Sequence, residues 1–389
     1  MGDNWVPLLT TNDWRLTTHM TDSQIEIQLI AAVTAAACAL PGVFLVLRRM
    51  AMMSDAISHS ILLGIVLAFF ATENLNSPLL VVGAALTGVA TVSLVEVLNR
   101  TGLVREDAAI GLVFPLLFSV GVILVSRYAG SVHLDIDAVL LGELAFAPFD
   151  RLTIGGVDLG PQALVMMGII LVLNVALIGV FFKELKLATY YAGLAAALGF
   201  SPGIIHYGLM TSVSVTAVGA FDAVGSILVV ALMIGPAATA YLLTNRLPAM
   251  IGLSVAIGVA GAVGGYWLAH ELDASIAGAM ATMIGALFLV AFLFAPEQGL
   301  VAIARRRTRQ RWEFAQTMLA IHLFNHEGLP NAVEESRVEH LDRHLRWEPT
   351  FAGRVVRLAE RRGLIEEERG ELALTDAGRA RAREAIVAT

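Results

Sequence analysis

Apolar stretches long enough to cross a hydrocarbon core recur along most of this chain. A crossing helix needs about 20 such residues, and nine segments qualify or nearly do: 27–47, 54–71, 78–98, 108–128, 162–182, 203–220, 224–244, 248–269 and 274–295. The sixth is the weakest, and an eight-span arrangement in which it is re-entrant or lost ranks second. Beyond residue 300 the pattern changes to short, charged, amphipathic runs. These predict helices over 312–326, 332–345 and 350–362, then a strand pair, Leu364 and Ile365 against 371–374, turning at Arg369 and Gly370. A last helix over 376–388 follows, capped by Thr375.

Composition agrees with the pattern. Of 389 residues, 57% are hydrophobic and 15% charged, and the mean hydropathy is +0.73, too apolar a balance for a water-soluble chain of this length. The net charge of -7 is unevenly spread, because 30 of the 59 charged residues fall in the last 85 positions. Four domains are expected: a segment 1–24, a transmembrane domain 25–300, a basic linker 301–311, and a small soluble domain 312–389. The first 22 residues carry one Arg and no Lys, unlike the basic start of a secretory signal, so no cleavage is expected.

The short loops fix an orientation. Arg48, Arg49, Arg100, Arg105, Lys183, Lys186, Arg246 and the arginines of 305–311 fall on alternate sides of the nine spans, which makes that side cytoplasmic. The opposite loops hold Glu73, His133, Asp135, Asp137, Glu143, Asp150, Asp158, His270, Glu271 and Asp273, with Arg127 and Arg151 as exceptions. A multi-pass protein of the cell membrane is expected, with its N-terminus extracytoplasmic and its C-terminal domain in the cytoplasm.

Several chemistries are excluded. The only cysteine, Cys38, permits neither an internal disulfide framework nor a thiolate-rich metal site. The only lysines, Lys183 and Lys186, lie in FFKELKLA and not in a glycine-rich phosphate loop. The chain is therefore no ATPase, and any nucleotide hydrolysis belongs to a partner.

Polar residues inside apolar spans are costly and point to a transport path. In SDAISH of the second span, Asp55 and His59 share a helical face, and a carboxylate with an imidazole suits Mn²⁺, Fe²⁺ or Zn²⁺. The same spacing equally fits a local Asp–His contact near a helix start, with Ser54 or Asp55 as the cap. Asp222 is either an ion ligand or gate, or the cap of the following helix. Glu96 is explained by a surface pair with Arg100. His133, Asp135, Asp137 and Glu143 form an acidic outer patch that attracts cations, docks a delivery protein, or is simply solvated. Between the fifth and sixth spans, 188–198 reads as one short helix ended by Gly, Ser and Pro, an interfacial helix or the filler of a partner's groove.

Taken together, GVFLVLRRMAMMSDAISHSILLGIVLAF, SRYAGSVHLDIDAVLLGELAFAPFDRL, KELKLATYYAGLAAALGFSP, VGSILVVALMIGPAATAYLLT and FLFAPEQGL resemble the manganese/zinc/iron class of ABC-transporter permeases over nearly all of 25–300. The resemblance implies an all-α polytopic fold like that of type II ABC importers. Its partners would be cytoplasmic ATPase subunits, a second permease copy or paralogue, and an extracytoplasmic metal-binding protein. It implies no resident cofactor and a transported divalent ion, with manganese favoured over iron and zinc by the outer-loop stretch and by the lack of a His-rich loop. It places the ion route at Asp55 and His59; Asp222 stays a further candidate from its own position between two apolar spans. It also places the ATPase contact at Tyr190, Tyr191, Gly193, Leu194, Leu198 and Gly199. Positive-inside topology puts Asp55 and Asp222 toward opposite ends of their spans, so a shared ion requires a broken helix.

The C-terminal domain resembles the winged helix-turn-helix of metal-dependent repressors, chiefly in LTDAGRARA. Nucleic-acid binding is not favoured, because 16 Arg against 14 acidic residues over 305–389 leave a net of only +2. A regulatory or assembly role on the ATPases is expected instead. Two other classes remain: a membrane-anchored, metal-responsive DNA-binding regulator, and a secondary metal carrier working alone.

Overall fold

Burial is heaviest on the first helix, α1 (Asp22–Leu47), which is enclosed on nearly every side from Ile30 to Leu45. The structure is a computed structural model; it describes residues 22–73, 77–128, 144–154, 157–329, 336–337, 341, 345–368 and 370–387. Most of the expected helix over 332–345 and the outer-patch residues His133, Asp135, Asp137 and Glu143 lie outside the described residues, as do all but three residues of the segment 1–24. The chain divides into two compact units, 1–293 and 294–389.

In the first unit, α2 (Ala51–Thr72), α3 (Pro78–Arg100) and α4 (Glu106–Tyr128) pack beside one another. Ser77 starts α3, its hydroxyl accepting from Leu79 N at 3.3 Å, with Pro78 in the first turn where a missing N–H costs nothing. Then come a hairpin, β1 (Arg151–Ile154) and β2 (Val157–Pro161), and helices α5 (Gln162–Val180), α6 (Phe182–Tyr190) and α7 (Ala192–Ala197). Helices α8 (Pro202–Leu243), α9 (Leu247–Leu272) and α10 (Ile276–Phe294) complete the bundle. Large apolar side chains on its rim, such as Leu86, Leu116 and Val172, are exposed, as surfaces that meet lipid should be.

Among the described residues eight helices are long and apolar enough to cross a membrane, not the nine expected. The difference lies in α8, where the expected sixth and seventh spans form one run of 42 residues. Gly225 interrupts it with φ 77° and ψ 164°, a backbone region that only glycine enters readily. Contacts measure the bend. Asn174 Nδ2 reaches both Ala37 O, at 3.1 Å, and Thr216 Oγ1, at 2.8 Å, while the Met233 carbonyl presses on Gly42. A straight helix would set Thr216 and Met233 about 25 Å apart; here Met233 touches α1 at Gly42, while Thr216 is joined through Asn174 to Ala37, a position on α1 about 8 Å away from Gly42. The helix is therefore kinked at Gly225.

The hairpin β1–β2 is a departure from the all-α expectation. Its signal was present: two short alternating runs flank Gly155 and Gly156, the usual mark of a tight turn.

The second unit contains α11 (Leu300–His326), α12 (Pro349–Arg361), the antiparallel pair β3 (Ile365–Glu368) and β4 (Glu371–Leu374), and α13 (Asp376–Val387). Leu319, Leu341, Val355, Val356, Ile365, Leu372 and Ala382 form its core. Residues 301–311, expected as a linker, are helical and belong to α11. With Arg, Ala, Gln and Thr in place of Gly or Pro, nothing in them breaks a helix. Thr375 caps α13, its hydroxyl accepting from Gly378 N at 3.1 Å.

Candidate ion path and cytoplasmic contact site

Helix α2 begins at Ala51 with Met50 as its N-cap, so Ser54 and Asp55 lie a turn inside it and neither is the cap. The local contact remains: His59 Nε2 stands 3.4 Å from Asp55 Oδ1, and the His59 ring is 5.9 Å from Phe114 and 6.0 Å from Phe118 on α4. The Asp55 side chain is 38% exposed and that of His59 30%, so the pair opens onto a face the bundle leaves partly uncovered. Beside it, the buried hydroxyl of Ser54 makes no hydrogen bond.

Asp222 does not join the pair. Ile57 of α2 and Ser214 of α8 both meet Gly88 and so lie level. From that level Asp55 and Asp222 diverge along parallel helices, leaving about 15 Å between them along the axis. Asp222 is exposed, three residues before the break at Gly225, and close enough to Asp150 for the two charges to interact. Among the described residues no group of three or more His, Cys, Asp and Glu is arranged to hold a metal. Asp55 and His59 thus offer two protein ligands, and an ion held there needs water or another chain to complete its shell.

The hairpin explains one exception to the charge rule. Arg151 Nη1 donates to Glu26 Oε1 at 3.1 Å and Arg151 Nε to Asp158 Oδ2 at 2.6 Å, so two carboxylates compensate its charge. The Gly160 N–H and the Arg151 guanidinium hold the Asp158 carboxyl below its ordinary range.

At the basic end lies a cluster that spacing alone did not reveal. Arg48 Nε donates to Thr189 Oγ1 at 3.2 Å, and Arg48 Nη1 lies 3.4 Å from His206 Nδ1. His206 Nε2 is 3.8 Å from Glu96 Oε2, and Glu96 also pairs with Arg100. The expected Glu96–Arg100 pair is thus one edge of a network spanning α3, α6, α8 and the end of α1. Its members are up to 158 residues apart in sequence, beyond the reach of any local pattern.

The helix expected over 188–198 is two. Helix α6 runs to Tyr190, Tyr191 breaks the chain at φ -144° and ψ 67°, and α7 follows. Gly199 ends α7 with φ 86°, its N–H donating to Ala196 O at 3.1 Å. Tyr191, Leu194 and Leu198 are more than half or about half exposed, whereas Ala195 is buried, so α7 presents apolar surface on most of its circumference.

Residues 22–295 match the family described as the ABC 3 transport family. The chain belongs to the ABC 3 transport family. It is 48% identical to the zinc transport system membrane protein TroD of Treponema pallidum (strain Nichols), over 91% of this chain and 96% of that protein. It is 50% identical to the manganese transport system membrane protein MntD of Bacillus subtilis (strain 168), over 72% of this chain and 94% of that one. Among solved structures it resembles PsaBC from Streptococcus pneumoniae in complex with Fab, with a TM-score of 0.60 and 27% identity over 72% of this chain and 94% of that one. The treponemal alignment, 354 residues long, must extend well into the second unit. The Bacillus alignment takes in 94% of its protein with 278 residues, leaving no room there for a counterpart of that unit.

Proposed function

We infer that this ABC 3 chain is the membrane-spanning permease subunit of an ATP-driven importer of manganese, zinc or iron ions, with manganese the favoured cargo. The observation that carries this reading is the near-complete match to membrane proteins named for zinc and manganese transport, at 48% and 50% identity. The ion passes Asp55 and His59, whose partly uncovered face suits a path completed by a second permease copy or paralogue. The acidic end faces an extracytoplasmic metal-binding protein. The basic end and the second unit face the cytoplasm, which is the sense that the lysines and arginines favour.

Energy comes from separate ATPase subunits. Tyr190, Tyr191, Gly193, Leu194, Leu198 and Gly199 form their docking site, and the exposed apolar surface of α7 supports this. The second unit, with its helices and β3–β4 hairpin, is a winged-helix domain that regulates or assembles the complex. The Bacillus relative's lack of space for such a unit supports an accessory role.

The test is ATP-dependent accumulation of Mn²⁺, Zn²⁺ and Fe²⁺ by vesicles containing the chain with its ATPase and metal-binding partners. Accumulation that requires ATP and prefers Mn²⁺ is expected. Uptake by the chain alone under an ion gradient would overturn the reading in favour of a secondary carrier.

A further inference from the structure

Arg48 follows the last residue of α1 and stands two residues ahead of α2's N-cap region, so it belongs to the turn from which the Asp55–His59 helix springs. That turn is stiff. Met50 N donates to Leu45 O at 2.9 Å, Arg49 N to Val46 O at 3.1 Å, and Met53 N to Met50 O at 3.0 Å. Arg49 closes it at φ 62°, a conformation that side-chain-bearing residues adopt at some cost. Asp55 follows Arg48 by seven residues, and the backbone N–H groups of Arg48, Arg49, Met50 and Met53 are hydrogen-bonded along that stretch.

The guanidinium itself reaches α6 and the start of α8. Its Nε binds Thr189, the residue preceding Tyr190, and its Nη1 approaches His206 at the start of α8, which reaches Glu96 on α3. A planar group with donors on several edges can span two such partners at once, which a lysine ammonium on its single stem cannot match in geometry. Arg48 Nη2 is buried without an acceptor. A buried donor left unsatisfied raises the free energy of the arrangement that contains it and is relieved by any rearrangement that supplies an acceptor.

We propose that Arg48 is the positioning residue that transmits displacement of the α6–α7 loop to the turn carrying α2, and so to the Asp55–His59 pair. The proposal rests on the reading of that loop as the ATPase contact. Motion of α6 moves Thr189, and the hydrogen bond carries the load to Arg48. The stiff turn delivers it to the first turns of α2, while His206 and Glu96 bring α8 and α3 along. Coupling of this kind requires contacts that differ between two states, and the unsatisfied Nη2 is a donor that a second arrangement can pair.

The experiment measures Mn²⁺ taken up per ATP hydrolysed by the complete reconstituted complex, with complex abundance measured in parallel. Arg48→Ala and Thr189→Val should each lower this ratio about tenfold, within the range typical of coupling between sites, while ATP hydrolysis persists. Thr189→Ser should restore the ratio, and the Arg48→Ala/Thr189→Val double variant should be no worse than Arg48→Ala alone, since both break one link. A purely structural role would reduce abundance, or uptake and hydrolysis together, and leave the ratio unchanged. If Arg48→Ala does not assemble, the Thr189→Val and Thr189→Ser pair decides the matter. An unchanged ratio in Thr189→Val, or additive losses in the double variant, would overturn the proposal. Failure of the unaltered complex to accumulate metal with ATP would instead overturn the functional reading beneath it.

Discussion

The carbonyl oxygen of Met233 occupies the space beside Gly42 so closely that a Cβ built there would lie 1.8 Å from it. Backbone meets backbone, and no rotamer change relieves the clash. Gly42→Ala is therefore expected to destabilise the bundle by at least about 2 kcal/mol, the range of overpacked cores, read as a lower melting temperature in detergent. Gly168→Ala on α5, where a Cβ meets nothing within 4 Å, should be neutral or slightly stabilising. Equal melting of the two variants would mean that α1 and α8 do not meet in this way.

Asp55→Asn and His59→Gln should each lower Mn²⁺ uptake by the assembled complex more than about tenfold, the smallest loss expected when a ligand or its close partner is altered. Both side chains are partly exposed, so abundance should change little. Asp222→Asn, well removed along the bundle, should reduce uptake less than either. Initial-rate measurements across Mn²⁺ concentration separate these outcomes, and wild-type rates in both α2 variants would remove that pair from the path.

A chain ended after residue 299 lacks the unit for which the Bacillus relative has no room. It should still insert and support ATP-dependent uptake, with any change confined to how transport responds to conditions. Loss of uptake despite normal insertion would make the second unit obligatory.

At the acidic end, Asp158 is held below its ordinary range by Gly160 and Arg151. A carboxyl lowered in the folded state contributes stability at pH above its unfolded value and loses it as pH falls through the folded one. The 151–161 hairpin should therefore keep its protease resistance through mildly acidic pH and lose it only below the ordinary aspartate range. Arg151→Ala should show raised cleavage already at neutral pH.

The membrane unit was legible because its signal is local: each crossing helix is an unbroken apolar run, and Asp55 and His59 stand out within one. The break in α8 was half legible. Two apolar runs stand in the sequence, but the hydropathy dips too little around Asp222 and Gly225 to tell a bent helix from two helices. Arg48, Thr189 and His206 could not be grouped from sequence at all, because their meeting depends on how α1, α6 and α8 pack. The split at Tyr191 was likewise hidden, since nothing in ATYYAGL forbids a helix. Residues 301–311 are helical although their charge suggests a linker, because charge is a sign of solvent and not of irregular chain.

Helix α6 carries both lysines of the whole chain, Lys183 and Lys186. Amine-reactive chemistry thus has one internal address in this protein, at the doorstep of the loop assigned to the ATPase. A short bifunctional ester that joins the two subunits through an internal permease amine must do so there, and the mass of the linked peptide reads out that boundary directly.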